Sequence, residues 1–278
     1  GEETARKRKR QIDKPGARVR LFAIYGVADN SDRMNPWVAS APAAVEVRLL
    51  ELQGHGHRAR EALPPLAIRD PAARKSAILR RCRERRRETA EALVDALAPF
   101  LDEPYALYGF SLGAILCYEM ALVLEARSLP RPRAVFAAGR GAPHCLPCGE
   151  KHYTGLARKD EDHVLEFMKL LKFDTEALPA RIRPRAGQLF RAGLLLGVHA
   201  GDAAEDPPCF WGTGGADDDM PRATVPSCLN CPIVAIGSDA DPLWPALTVD
   251  RWADVAAGGA YERVVVKGAA HGDVMNHA

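Results

Sequence analysis

Short apolar runs, most of them closed by glycine, alternate along this chain with longer segments of helical period. Arg18–Tyr25 reads as a first strand ending at Gly26, followed by a polar loop over residues 28–33. Val45–Leu52 reads as a second strand, closed by Gly54-His55-Gly56-His57. From Pro71 to Leu101 the spacing of Leu79, Ala92, Leu93, Leu97 and Leu101 predicts a helix. Tyr105–Tyr108 reads as a third strand, Ala134–Ala138 as a fourth, Pro232–Ile236 as a fifth and Tyr261–Val266 as a sixth. Strands this short and apolar, separated by helices, predict an α/β fold with a mostly parallel sheet and helices on both faces.

One segment breaks this rhythm. About 90 residues, His144 to Asn230, separate the fourth and fifth strands without a strand pattern. Asp160–Phe173 and Pro184–His199 are amphipathic, and Gly201–Pro226 is acidic and irregular. Helices inserted at a catalytic-end loop would stand over a site as a lid. The expected organisation is a basic tail (1–17), a core (18–144), a helical lid insertion (145–230) and the rest of the core (231–278).

Chemistry enters at Gly109-Phe110-Ser111-Leu112-Gly113. The G-x-S-x-G spacing between a strand and a helix (residues 114–122) is that of a nucleophile elbow, a turn so tight that its flanks must lack side chains. With 23 glycines in 278 residues, chance supplies about one such match per twenty chains. A serine hydroxyl needs a base, and the base needs an orienting acid. In this architecture the chain order is Ser, then acid, then His. His271 lies directly after the last strand, whereas His277 is penultimate. The acid belongs after the fifth strand, in Gly237-Ser238-Asp239-Ala240-Asp241-Pro242, where Asp241 is preferred to Asp239. The backbone N–H groups of Leu112 and Val27 are the expected oxyanion donors.

Charge and composition narrow the picture further. Hydrophobic residues make up 47% of the chain and net charge is +2, so the overall balance names no partner. The run Ala5–Arg10 is basic but lacks the apolar stretch of a secretory signal. It reads as a solvated tail, and no nucleic-acid partner is expected. No run of about 18 apolar residues predicts a membrane span, and a cytoplasmic location is expected. The chain opens on Gly rather than Met, as a domain cut from something longer would. Seven cysteines do not form a secreted disulfide pattern. Cys145/Cys148 and Cys228/Cys231 have C-x-x-C spacing, but the pairs are too far apart for a compact zinc module. No metal or cofactor is expected. Six arginines between Arg80 and Arg87 form a basic helical stretch, read as a solvated face or as a dock for an acidic protein.

Taken with these loops, several segments resemble the type II thioesterases of polyketide and nonribosomal peptide synthesis, within the α/β-hydrolase superfamily. The resemblance runs from about residue 18 to 272. It is carried by Leu21-Phe22 through Pro36-Trp37, by Gln53–Arg58, by Tyr105–Ala114, by Gly139-Arg140-Gly141-Ala142-Pro143-His144 and by Gly237–Pro242. Two positions depart from the family. Position 110 is Phe where it usually has His, and Tyr25–Asp29 stands where it typically has Pro-x-Ala-Gly-Gly. The resemblance implies hydrolysis of acyl thioesters on the phosphopantetheine arm of an acyl or peptidyl carrier protein, with Ser111, His271 and Asp241 as triad. A general carboxylesterase using the same triad, or a catalytically weak binding domain, are the rival readings.

Overall fold

The computed structural model describes residues 16, 18–63, 75–145, 164–165, 168, 176, 179–197, 227–257 and 260–277. Six strands, β1 (Val19–Ile24), β2 (Val45–Leu49), β3 (Tyr105–Phe110), β4 (Val135–Ala138), β5 (Ile233–Ser238) and β6 (Tyr261–Val266), form one sheet in the order β2-β1-β3-β4-β5-β6. Every neighbouring pair is parallel. The chain runs from β1 outward to β2, then returns to lay β3 on the other side of β1. The order thus reverses between β1 and β3, the point at which sheets of this kind form a crevice beyond the carboxyl ends of their strands. The loop carrying Val27 and the turn carrying Ser111 both leave from there.

The strand limits differ from expectation for visible reasons. β2 stops at Leu49 because Leu50 makes a last bond to Ala23 O (2.9 Å) and Glu51 then turns in to meet Tyr25. β5 continues through Gly237 to Ser238, paired with Val265 and Val266. A side chain at Gly237 would begin 3.0 Å from Val249, so glycine here serves packing and not a turn.

The helices delimited among the described residues are α1 (Asn35–Ser40), α2 (Lys75–Leu97), α3 (Leu112–Ala126), α4 (Arg183–Gly197), α5 (Ala246–Asp250) and α6 (Val274–His277). α1 is too short to leave a periodic signal in the sequence. α3 is buried along nearly its whole length, which is why its sequence is apolar all round. α4 matches the helix expected from Pro184; residues 198 and 199 of that expectation lie outside the described residues. The helix expected over Asp160–Phe173 lies mostly outside the described residues; Val164, Leu165 and Met168 are helical. The basic tail before Gly16, the acidic stretch Gly201–Pro226 and Cys148 also lie outside them.

The arginine-rich stretch is neither a wholly solvated face nor an open basic patch. Arg86 is 1% exposed, and its Nε donates to Glu119 of α3 at 2.6 Å. Its Nη1 reaches Leu196 O of α4, so one buried ion pair links three helices. Arg81, Arg85 and Arg87 pair along α2 with Glu84, Glu88 and Glu91, and Arg80 approaches Glu84 at 3.9 Å. Spacings of three and four residues put these charges side by side. Cys145, Cys228 and Cys231 are free thiols. Among the described residues no cluster of His, Cys, Asp or Glu is arranged to hold a metal ion, and no helix is long and apolar enough to cross a membrane.

Candidate active site

The turn from β3 into α3 is determined by two glycines. A β-carbon on Gly109 would lie 2.1 Å from Gly113 O, and one on Gly113 would lie 2.4 Å from Ile24 O. Both obstacles are backbone and cannot move aside cheaply. Between the two, Ser111 takes φ 51°, ψ −111°, a strained conformation for a residue with a side chain. Its N–H bonds Ala138 O at 2.8 Å, anchoring the turn to β4. Leu112 is the first residue of α3, where a backbone N–H has no carbonyl one turn back to bond.

The other two candidates meet Ser111 from separate loops. His271 Nε2 lies 3.2 Å from Ser111 Oγ. His271 Nδ1 lies 2.7 Å from Asp241 Oδ2. Asp241 is 5% exposed. Its second oxygen, Oδ1, accepts the backbone N–H of Leu243 (2.8 Å) and of Trp244 (3.2 Å), so the carboxylate faces His271 in one orientation only. Asp239, the other aspartate in the loop, is turned away and accepts Gly268 N–H at 2.6 Å. His277 stands in α6.

Val27 and Ala28 form the turn that follows β1. Two glycines of the family's usual pattern are replaced there, yet the backbone still enters the left-handed region, with Ala28 at φ 58°. Gly26 is needed for a different reason: a β-carbon there would come within 3.0 Å of Phe110 and 3.4 Å of Ser111 Cβ. Val27 also touches α4. A β-carbon on Gly193 would meet Val27 at 2.9 Å and Leu112 at 3.4 Å. Val164, Met168, Phe190 and Leu194 form a small core of their own, against which Val27 and Ala28 pack. The inserted helices therefore lie against both expected oxyanion residues.

Several further side chains surround the three. Phe110 packs its ring 5.2 Å from that of His271 and fills the space over Gly26 and Gly139. Ser238, 2% exposed, donates to Ala269 O at 2.6 Å and accepts from Ala240 N–H at 3.0 Å. It thereby ties the acid loop to the histidine loop. Arg33 donates to Gly272 O at 3.0 Å, one residue beyond His271. Arg140, under the ring of Trp244, donates to Gly197 O at the end of α4. A cation there meets the negative end of the helix dipole. Phe110, within the elbow, and Arg140, as part of the Gly-Arg-x-Ala-Pro-His segment, have a sequence signal; the contacts of Ser238 and Arg33 depend on which loops the sheet brings together.

Residues 77–181, which include the elbow, match the family model of the thioesterase domain. The structure superimposes on RedJ, a thioesterase from the prodiginine biosynthetic pathway of Streptomyces coelicolor, with TM-score 0.68 and 26% identity over 94% of this chain and 86% of that one. It also superimposes on BorB, the type II thioesterase of the borrelidin cluster, with TM-score 0.65 and 19% identity over 96% and 91%. The resemblance to type II thioesterases holds. Among curated sequences the gramicidin S biosynthesis protein GrsT of Aneurinibacillus migulanus is 26% identical over 154 residues, 55% of this chain and 52% of the relative. The chain thus spans about half the length of the curated relatives it matches. Asp241 and His271 lie outside the family match, which reaches only Ser111 of the three candidates.

Proposed function

We propose that the protein is a serine thioesterase, hydrolysing acyl thioesters carried on the phosphopantetheine arm of a carrier protein in a polyketide, nonribosomal peptide or fatty acid pathway. The observation that carries this reading is the hydrogen-bonded line Ser111–His271–Asp241 in a chain similar to thioesterases. Ser111 Oγ attacks the thioester carbonyl while its proton passes to His271 Nε2. Asp241 holds the other proton on Nδ1, the tautomer that leaves Nε2 free to accept, and stabilises the imidazolium that forms. The tetrahedral oxyanion is met by the N–H groups of Leu112 and Val27. As the C–S bond breaks, the proton on Nε2 goes to the departing pantetheine thiol. Water then enters, gives a proton to Nε2 and releases the acid from Ser111 by the reverse sequence.

The phosphopantetheine belongs to the substrate, and this chemistry asks no cofactor of the protein itself. Helix α4 is read as part of the lid over the acyl group, supported by its packing on Val27 and Leu112. The free Cys145, Cys228 and Cys231 thiols fit a reducing, cytoplasmic setting. The test is hydrolysis of acyl-pantetheine thioesters of several chain lengths beside matched oxygen esters, with covalent labelling by a fluorophosphonate. Thioester preference, and labelling lost in Ser111→Ala, support the reading. A preference for oxygen esters would make it a carboxylesterase, and absence of labelling in the wild type would make it a binding domain.

A further inference from the structure

The loop after β1 has to place one oxyanion donor without the glycines that would let it bend at no cost. Ala28 in the left-handed region costs on the order of 1 kcal/mol, and such a conformation persists only where its surroundings over-determine it. The surroundings converge on one carboxylate. Glu51, at the end of β2, is 7% exposed. Its Oε1 accepts the hydroxyl of Tyr25, the residue immediately before the loop. Its Oε2 accepts Ser31 Oγ–H at 2.7 Å and the Ser31 backbone N–H at 3.4 Å, immediately after the loop. Both ends of residues 26–30 are therefore bound to the same side chain, and the span between them is determined.

Glu51 is itself held. His57 Nδ1 lies 3.3 Å from Oε2, Arg58 donates to the Glu51 carbonyl at 3.0 Å, and Leu52 N–H donates to the Tyr25 hydroxyl at 2.9 Å. Burial first, and then the Glu51 charge, push the Tyr25 phenol far above its ordinary value, so it remains a donor. Gly56 wraps against the carboxylate so closely that a β-carbon would fall 2.0 Å from Oε2. Ser31 also opens the 3₁₀ turn Ser31–Met34, and Arg33 of that turn bonds Gly272 O beside His271. The brace thus reaches both the second oxyanion donor and the loop of the base.

We infer that Glu51 is a positioning residue for the oxyanion loop, acting through Tyr25 and Ser31. The inference rests on the reading of Ser111 as an acylated nucleophile. Loss of an entire oxyanion donor lowers kcat by about 10²–10³-fold, and a donor displaced but still present loses part of that. Glu51→Gln removes the charge and turns one of the two acceptor oxygens into an N–H donor, so the bond at one loop end is reversed and loses its charge assistance. Tyr25→Phe releases one end and conserves shape.

The experiment measures kcat and KM on an acyl-pantetheine thioester, with kcat divided by the active sites titrated to completion with a fluorophosphonate. A merely structural effect lowers the number of sites titrated and leaves the rate per site unchanged. The expected result is kcat per site down about tenfold or more for Glu51→Gln and less for Tyr25→Phe, with KM within about twofold of wild type. If Glu51→Gln does not fold, Tyr25→Phe decides, at about threefold or more. Rates per site within twofold of wild type, or a change confined to KM, overturn the inference. Failure of the underlying reading looks different: the wild type itself is then neither labelled nor active on the thioester.

Discussion

Asp241 does two jobs with two oxygens, and substitution separates them. Oδ1 accepts two backbone N–H groups, of Leu243 and Trp244, and Oδ2 faces His271 Nδ1. In Asp241→Asn the amide oxygen takes the Oδ1 place and keeps both backbone bonds. The amide NH₂ then points at Nδ1, and two donors cannot share that contact. The imidazole must carry its proton on Nε2, where it donates toward Ser111 instead of accepting from it. The same tautomer fault in another serine hydrolase lowers kcat by about 10⁴, or about 5 kcal/mol of transition-state stabilisation. The fold is expected to be nearly untouched, with a melting temperature within about 2 °C of wild type. Asp241→Ala does the reverse damage as well. Two N–H groups, one buried and one partly buried, lose their acceptor, at up to about 1–3 kcal/mol each, so the alanine variant melts lower than the asparagine variant. Initial rates of thiol release and thermal melts read both effects. Asp239→Asn, altering the neighbour that bonds Gly268, should retain a rate within about threefold. An Asp241→Asn enzyme that keeps more than a tenth of wild-type activity would refute the assignment, and so would an equal loss in Asp239→Asn.

Three other outcomes are expected. Gly113→Ala forces a methyl to within 2.4 Å of Ile24 O; a cost of about 1–3 kcal/mol and a clear fall in melting temperature should follow, and an unchanged melt would count against the elbow packing. Ala28→Gly removes a side chain from φ 58° and should raise stability by up to about 1 kcal/mol, read by urea unfolding, whereas destabilisation would show that the strain is absent. His55 and His144 are both held below the ordinary histidine value, chiefly by burial. The unfolded chain therefore takes up protons near pH 6.5, before the folded one does, so folding stability falls as pH drops below that point. The urea midpoint should be lower at pH 5.5 than at pH 7.5, and His55→Gln should narrow the gap; an unaltered gap would remove His55 as a cause.

Much of the site was legible because its chemistry is local in sequence. The elbow announces itself through two glycines whose absence of side chains is a steric necessity within five residues. His271, and an acid from the pair Asp239 and Asp241, follow from chain order, since each stands just past a strand end. What the residues did not announce are the contacts between loops. Ser238 looks like an ordinary residue closing a strand, and only the pairing of β5 with β6 brings it to Ala269. The arginines of α2 looked like one basic face, because the period of a helix does not reveal which residue enters the core. Arg86 does so because Glu119 of the adjacent α3 waits there.

The sequence by itself determined the strand–helix alternation, the elbow and the type of each triad member, because these depend on spacing and steric demand along a few residues. The tertiary structure alone decided which of two aspartates meets His271, and which carboxylate holds the loop after β1. Asp239 and Asp241 stand two residues apart in one loop; the first bonds the Gly268 N–H just past β6, and only the second reaches His271. Tyr25, Ser31 and Glu51 are ordinary residues in three segments. They become one brace because parallel pairing of β1 with β2 ends those strands side by side, where a buried carboxylate must find donors or stay folded out into water.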